Sequence, residues 1–311
     1  TLAVTASAWR SGHEVIIDRI DLRDAEAELA AITSLLVDAL EDGGCALVIR
    51  NTVAQACATY DALAEQFGEH DVRLFHGRLA AGHRSSLTDE LVSRLGPDGH
   101  RPDRLIIVAT QVAEQSFDVD VDLLITDIAP IDLLIQRAGR MHRHVRPDAD
   151  RPARLSSPRL ILTGLDLSGS EPWFAPGSEA VYGRYLLLRT AATLLSVTTS
   201  SPVVLPDDAP SLVAAVYGDS DVIPVRWQEI AAEAERKWSD IISTSTSAAQ
   251  QYVLVGTGSW AHRTLDGLHD YPAGTEEVVR VREGDMGEEV VIVARDDDGY
   301  RTIDGEPLGM N

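Results

Sequence analysis

The chain has 311 residues, a length for about two domains, and 44% of it is apolar, enough to bury substantial cores. Its net charge of −22 excludes a broadly basic nucleic-acid surface, so any polynucleotide contact must be local. Of 27 basic residues only Lys237 is a lysine, which excludes a GxxxxGK[ST] phosphate loop, because that loop needs a lysine after its last glycine.

Residues 14–144 alternate short apolar runs with helix-like periodicity. Glu14–Asp18 reads as a strand. Asp24–Glu41 places Leu29, Ile32, Leu35, Leu36 and Leu40 near helical spacing and stops at Gly43-Gly44. Cys45–Arg50 is a buried strand, and the helix after Asn51-Thr52 carries Cys57, Tyr60, Leu63 and Phe67 as far as Gly68. Val72–His76 is the next strand, a polar helix runs over 80–95, and Arg104–Thr110 and Asp122–Asp127 are two more strands. A further helix opens over Asp132–Arg137. Strands of this length separated by helices predict an α/β fold with a parallel sheet, whose functional loops leave the carboxyl ends of the strands.

After about residue 145 the pattern changes. A Pro- and Arg-rich connector leads to a strand at Leu160–Leu165, then to a helix over Glu179–Leu195. Residues 196–202 form a low-complexity boundary. Helices over 210–218 and 227–247 precede alternating runs that predict a small β-rich end. Cys45 and Cys57 have no CxxC and no histidine at zinc spacing, so a reduced, cytoplasmic setting is the default. No run of 18 apolar residues and no leader pattern occurs, and neither membrane insertion nor export is expected.

Three strand-end segments carry chemistry. Thr110–Asp118 reads TQVAEQSFD, Gln136–Arg143 reads QRAGRMHR, and VIRNT and FHGR lie between Val48 and Arg78. On a helix, Arg140 and Arg143 would share one face, with Gly139 allowing close packing. Planar guanidinium forks of this kind suit phosphate oxygens.

These segments resemble the second RecA-like domain of superfamily 2 helicases. TQVAEQSFD matches that family's motif V, QRAGRMHR matches the QxxGRxxR of motif VI, VIRNT resembles motif IV and FHGR the nucleic-acid-contact motif after it. Taken together they look like the type I CRISPR-associated helicase-nuclease, over roughly residues 45–145. VYGRYLLLRT resembles that family's linker helix, and VVRVREGDMGEEVVIV its carboxyl-terminal domain. The resemblance implies a RecA-like domain over 1–165, a linker with a helix over 166–200 and an accessory α+β domain over 201–311.

It also implies a half-site. ATP would lie between this domain and a first RecA-like domain that holds the phosphates and Mg²⁺. Arg140 and Arg143 would be arginine fingers, and Asp118, Gln136 and Gly139 would orient the nucleotide surface. Asn51, Thr52, His76, Gly77, Arg78 and Thr110 would meet the backbone of single-stranded DNA without reading its sequence. The implied partners are the first RecA-like and HD nuclease domains and an RNA-guided surveillance complex. The chain is expected to be the carboxyl-terminal part of a larger polypeptide, or a separately encoded half, and inactive alone. Alternatives are another DExH-type helicase fragment and a noncatalytic module docking on a surveillance complex.

Several features have plainer readings. His142 and His144, two apart, lack a third ligand nearby and are not expected to bind metal. Asp118, Asp120, Asp122 and Asp127 read as the polar face of a strand near a sheet edge plus helix caps. Trp227, Trp238 and Trp260 read as partly buried core, and Asp298-Gly299 as a hairpin turn pair.

Overall fold

The computed structural model describes residues 12–114, 118–147, 150–195, 202–250, 293–296 and 299–302. The chain divides into two compact units, Thr1–Ala248 and Ala249–Asn311. In the first, the elements run β1 (His13–Asp21), α1 (Ala25–Ala39), β2 (Gly44–Ile49), α2 (Val53–Phe67), β3 (Val72–Phe75), α3 (Ala81–Leu95), β4 (Arg104–Ala109), β5 (Leu123–Asp127) and α4 (Ile131–Ala138). They continue as β6 (Arg159–Asp166), β7 (Trp173–Phe174), α5 (Ser178–Tyr182), α6 (Arg184–Leu195), β8 (Val203–Leu205), α7 (Ala209–Tyr217) and α8 (Gln228–Gln250).

The sheet has the order β3-β4-β2-β5-β6-β1-β8. The first six of these strands are mutually parallel, while β8 pairs antiparallel with β1 and β7 pairs antiparallel with β6. β2 and β5 are buried along their whole length, as central parallel strands with helices on both faces must be. The pleat sorts their apolar runs into two cores. Ala46, Val48, Ile106, Val108, Leu123 and Ile125 face α1 and α2, meeting Ile32, Leu36 and Leu63. Cys45, Leu47, Ile49, Leu105 and Ile107 face α3, α4 and α6, meeting Leu91, Leu134 and Leu187. Each fully buried leucine contributes about 1.5–3 kcal/mol.

Local chemistry sets the helix ends. Asp24 caps α1 by accepting from the Ala27 amide at 2.8 Å, and Thr52 caps α2 by accepting from the Gln55 amide at 3.2 Å. The single helix expected over 179–195 is two, because Gly183 at φ +79° turns the chain and lies against Trp238, where a Cβ would sit 3.0 Å from the ring.

The expected boundaries at 165 and 200 differ from the observed units. α6 is buried on every side from Leu186 to Leu194 and belongs to the core, and β8 extends the sheet. Arg189 of α6 donates to the carbonyls of Ala215, Val216 and Gly218 at 2.5–2.7 Å, satisfying the carboxyl end of α7. A helix that finishes another helix is part of one folded body. β5 is central rather than near an edge, so the expected solvated face of aspartates does not form.

In the second unit, β9 (Val293–Asp296) and β10 (Gly299–Thr302) form an antiparallel hairpin. Gly299 pairs with Asp296, so it is a strand residue rather than half of the turn. Trp260, all but Val293 of the segment over 278–293 that resembles the carboxyl-terminal domain, and most of the 196–202 boundary lie outside the described residues. No helix among the described residues is long and apolar enough to cross a membrane.

Candidate functional site

The expected site residues gather at two ends of one loop. β4 delivers Thr110 to the carboxyl edge of the sheet. At the opposite edge, ahead of β5, the Asp120 amide donates to the Leu95 carbonyl at the end of α3, at 3.0 Å. Between them in sequence, Gln111–Glu114 forms a short 3-10 turn.

Two arginines, one in α4 and one just after it, hold Glu114. Arg137, which sequence reasoning passed over, is 0% exposed. Its Nε and Nη2 donate to Glu114 Oε1 at 2.9 and 2.5 Å, Nη1 to Thr126 Oγ1 at 2.6 Å and the Asp127 carbonyl at 3.0 Å, and Nη2 also to the Tyr182 hydroxyl at 2.7 Å. Arg140 is 9% exposed, and its Nη2 donates to the Glu114 carbonyl at 3.0 Å. Burial, then the Arg143 charge, lowers its pKa, while Asp118 works in the other direction.

Arg140 and Arg143 do not share a helix face. α4 ends at Ala138 with Gly139 as its cap, and the chain then turns. Met141 forms a parallel bridge to Val121, and His142 adopts φ +47°, a left-handed conformation uncommon for a side chain with a Cβ. This turn carries the Arg143 side chain out to 33% exposure, where its Nε donates to Asp118 Oδ1 on a side chain that is 47% exposed. His144 Nε2 lies 3.3 Å from the same oxygen. Gln136 is exposed on α4 and Gly139 is buried. Gln136 and the pair Asp118–Arg143 are therefore the accessible part of the expected nucleotide surface, while Arg140 and Gly139 are buried.

At the carboxyl edge the structure separates the expected DNA contacts into open and buried groups. Asn51 is buried, and its Nδ2 donates to the Ile128 carbonyl at 2.8 Å and to Ser178 Oγ at 2.9 Å. His76 is buried, accepts from the Arg78 amide at 3.1 Å, and has its pKa lowered by burial and then by Arg78. The Thr110 amide donates to the Phe75 carbonyl at 3.1 Å. These three are oriented by the fold's own hydrogen bonds. Gly77 and Arg78 are exposed, nothing lies within 4 Å of where a Gly77 Cβ would be, and Thr52 is half-buried at the start of α2.

A second group escaped sequence reasoning. Asp120 and Asp122 are fully buried among Arg101, Arg146 and Arg151, with Asp120 Oδ2 accepting from Arg146 Nε at 2.5 Å and Arg151 Nη2 at 2.7 Å. Burial raises the Asp120 pKa, but the bonds and charge of Arg151 and Arg146 outweigh it and the net shift is downward. The three arginines lie 19 to 31 residues from Asp120, so no local pattern marks the cluster.

Comparisons with known proteins bear on the family and the fold. Residues 42–146 match the family described as CRISPR-associated nuclease/helicase Cas3, C-terminal. The CRISPR-associated nuclease/helicase Cas3 of Streptococcus thermophilus is 31% identical over 289 residues, 89% of this chain and 30% of that protein. This chain belongs to the Cas3 family. It corresponds to the carboxyl-terminal part and spans less than a third of the length of the curated Cas3 relatives it matches. Its fold superposes on T. fusca Cas3-ATP with a TM-score of 0.72 at 30% identity, covering 90% of this chain and 30% of that one. A CRISPR RNA-guided surveillance complex, pre-nicking, gives 0.65 at 31% identity, covering 84% and 30%. The mostly parallel sheet with flanking helices is the RecA-like architecture of those Cas3 structures.

Among the described residues no group of three His, Cys, Asp or Glu is arranged to hold a metal ion. His142 instead has a pH signature. Burial, then the Arg151 charge, lowers its pKa from 6.5 to about 4. Below pH 6.5 the unfolded chain takes up a proton that the folded chain refuses. Stability is therefore full above pH 6.5 and falls as pH drops toward 4, by about 2–3 kcal/mol. His142→Asn, which tolerates the left-handed backbone, should flatten the decline of the thermal midpoint between pH 7 and 4.5. The slope persists in part, because the pKa values of His76 and His144 are also lowered. An unchanged slope in the variant rejects the assignment.

Proposed function

We propose that this chain is the second RecA-like half of an ATP-dependent translocase on single-stranded DNA, acting in CRISPR interference. In this reading Arg143, backed by Arg140, completes a nucleotide pocket whose phosphate-holding half and Mg²⁺ belong to a first RecA-like domain. The observation that carries it is the ion pair of Asp118 with Arg143 on the turn after α4, reachable from solvent at 47% and 33% side-chain exposure while Arg137 and Arg140 are drawn into the fold. A guanidinium fork held at a surface by one carboxylate suits a phosphate approaching from outside. Gln136 lies exposed on the same helix.

DNA backbone contact falls to the carboxyl edge, through Thr52, Gly77 and Arg78, with Asn51, His76 and Thr110 supporting their loops. This track is narrow and the chain carries −22, so the isolated piece binds DNA weakly. The relatives support the same assignment: a nuclease/helicase, a structure with ATP and an RNA-guided surveillance complex. We extend these to this chain as its whole-protein setting, cytoplasmic, with the HD nuclease and surveillance complex as partners.

The test is complementation. Alone, the chain turns over ATP at well below about 1 s⁻¹, an ordinary enzyme rate. Mixed with a separately produced first RecA-like domain, it gives DNA-stimulated hydrolysis. Turnover above that rate from the chain alone rejects the half-site. A chain that never complements, yet captures a surveillance complex, is a docking module instead.

A further inference from the structure

Resting on the reading of Arg143 as the phosphate-reaching guanidinium, we propose that Asp120 is the positioning residue that fixes where Arg143 stands. Nothing about Asp120 suggests solvent contact or direct chemistry. It is fully buried between Val119 and Val121, and its carboxylate meets three arginines from two separate segments. Arg101 comes from the loop before β4, while Arg146 and Arg151 come from the connector after the arginine turn. One bond in the cluster differs in kind from the rest. Asp120 Oδ1 accepts from the backbone amide of Arg143 at 2.9 Å.

That bond closes a frame. The Val121 amide donates to the Arg140 carbonyl at 2.9 Å, and the His142 amide donates to the Val121 carbonyl at 3.0 Å. Together these pin both sides of Met141 and hold His142 in its left-handed conformation. At Arg143 the main-chain amide turns from the ladder to the Asp120 carboxylate. It is itself immobilised, since the Asp120 amide donates to the Leu95 carbonyl at 3.0 Å and the Asp120 carbonyl accepts from Arg101 Nη1 at 2.8 Å. The guanidinium cluster thus has two separable uses. Arg146 and Arg151 balance a buried charge, which concerns stability. The Arg143 amide bond orients an exposed side chain, and reacting groups misplaced by about 1 Å can lose about 10²-fold in rate.

Two measurements test this. In the chain alone, hydrogen exchange at the Arg143 amide should accelerate about tenfold or more in Asp120→Ala, while the amide of Ile125 in the core of β5 keeps its protection. In the complemented ATPase, Asp120→Ala should lower kcat by about 10- to 100-fold with little change in KM, and should lower it no further when Arg143 is already alanine. Arg146→Met, which removes a charge partner and leaves the amide bond, should reduce thermal stability and keep kcat within about twofold. Asp120→Asn keeps the volume but offers one acceptor to several donors, so it gives a smaller loss in the same direction and serves where alanine does not fold. The proposal is overturned if Arg143 exchange is unchanged, or if Asp120→Ala costs the same factor in kcat with and without Arg143. If Arg143→Ala itself leaves turnover intact, the nucleotide reading fails, and the exchange result still decides whether Asp120 holds the turn.

Discussion

Arg143→Ala should lower ATP turnover of the complemented protein by about 10³-fold or more and leave DNA affinity within about twofold. A thousandfold loss is about 4 kcal/mol of transition-state stabilisation. That is the scale expected when a preorganised cation that meets developing phosphate charge is removed from a water-poor cleft. Stability should barely respond, because the side chain is a third exposed and its partner Asp118 nearly half exposed, and such pairs contribute about 0–1 kcal/mol. Arg143→Lys should rescue little, since an ammonium cannot reproduce the planar fork. DNA affinity is spared because the proposed DNA contacts sit at the carboxyl edge, at the other end of the 111–118 loop. A variant that keeps more than about a tenth of wild-type turnover excludes Arg143 from this role.

The contrast among arginines 137, 140 and 143 marks the limit of what the sequence made legible. All three lie in one eight-residue match, and composition treats them alike. Their exposures depend on partners 10 to 45 residues away, among them Glu114, Asp127 and Tyr182. The strands were legible to within about one residue at most ends, because runs such as CALVIR and RLIIVA are apolar enough to be buried on both faces. The face each residue took followed from the pleat.

Where reading failed, a long-range contact had overridden a local pattern. The helix expected to carry both arginines stops at Ala138, since the next residues pair with Val121 instead of continuing the spiral. β8 is three residues beside a Ser/Thr-rich stretch, and only its pairing with β1 makes it a strand. Asn51 and His76 sit at strand ends, as functional residues do in α/β sheets. Whether such a residue faces solvent depended on α5, whose Ser178 takes the Asn51 amide, and on the turn that folds the Arg78 amide onto His76.

Arg137→Met should be the mirror image of Arg143→Ala, a loss of stability by about 3–5 kcal/mol. The guanidinium is fully buried and makes five hydrogen bonds to Glu114, Thr126, Asp127 and Tyr182. Methionine keeps much of the apolar stem and offers no donor. The Glu114 carboxylate, nine-tenths covered, would lose its cation, and the Asp127 carbonyl and Tyr182 hydroxyl would lose a donor. An unpaired buried acceptor bears its full desolvation penalty, and a buried charge bears more. At about 2–4 °C per kcal/mol for a unit of this size, the thermal midpoint should drop by about 6–20 °C, against 2 °C or less for Arg143→Ala. Glu114→Gln in the same background should recover part of the loss, because it removes the stranded charge and retains the shape. Circular dichroism melts of the four proteins decide the matter. If Arg137→Met melts within about 2 °C of the parent, the buried guanidinium does not hold the 111–118 loop against α4, and the division of labour among the three arginines fails with it.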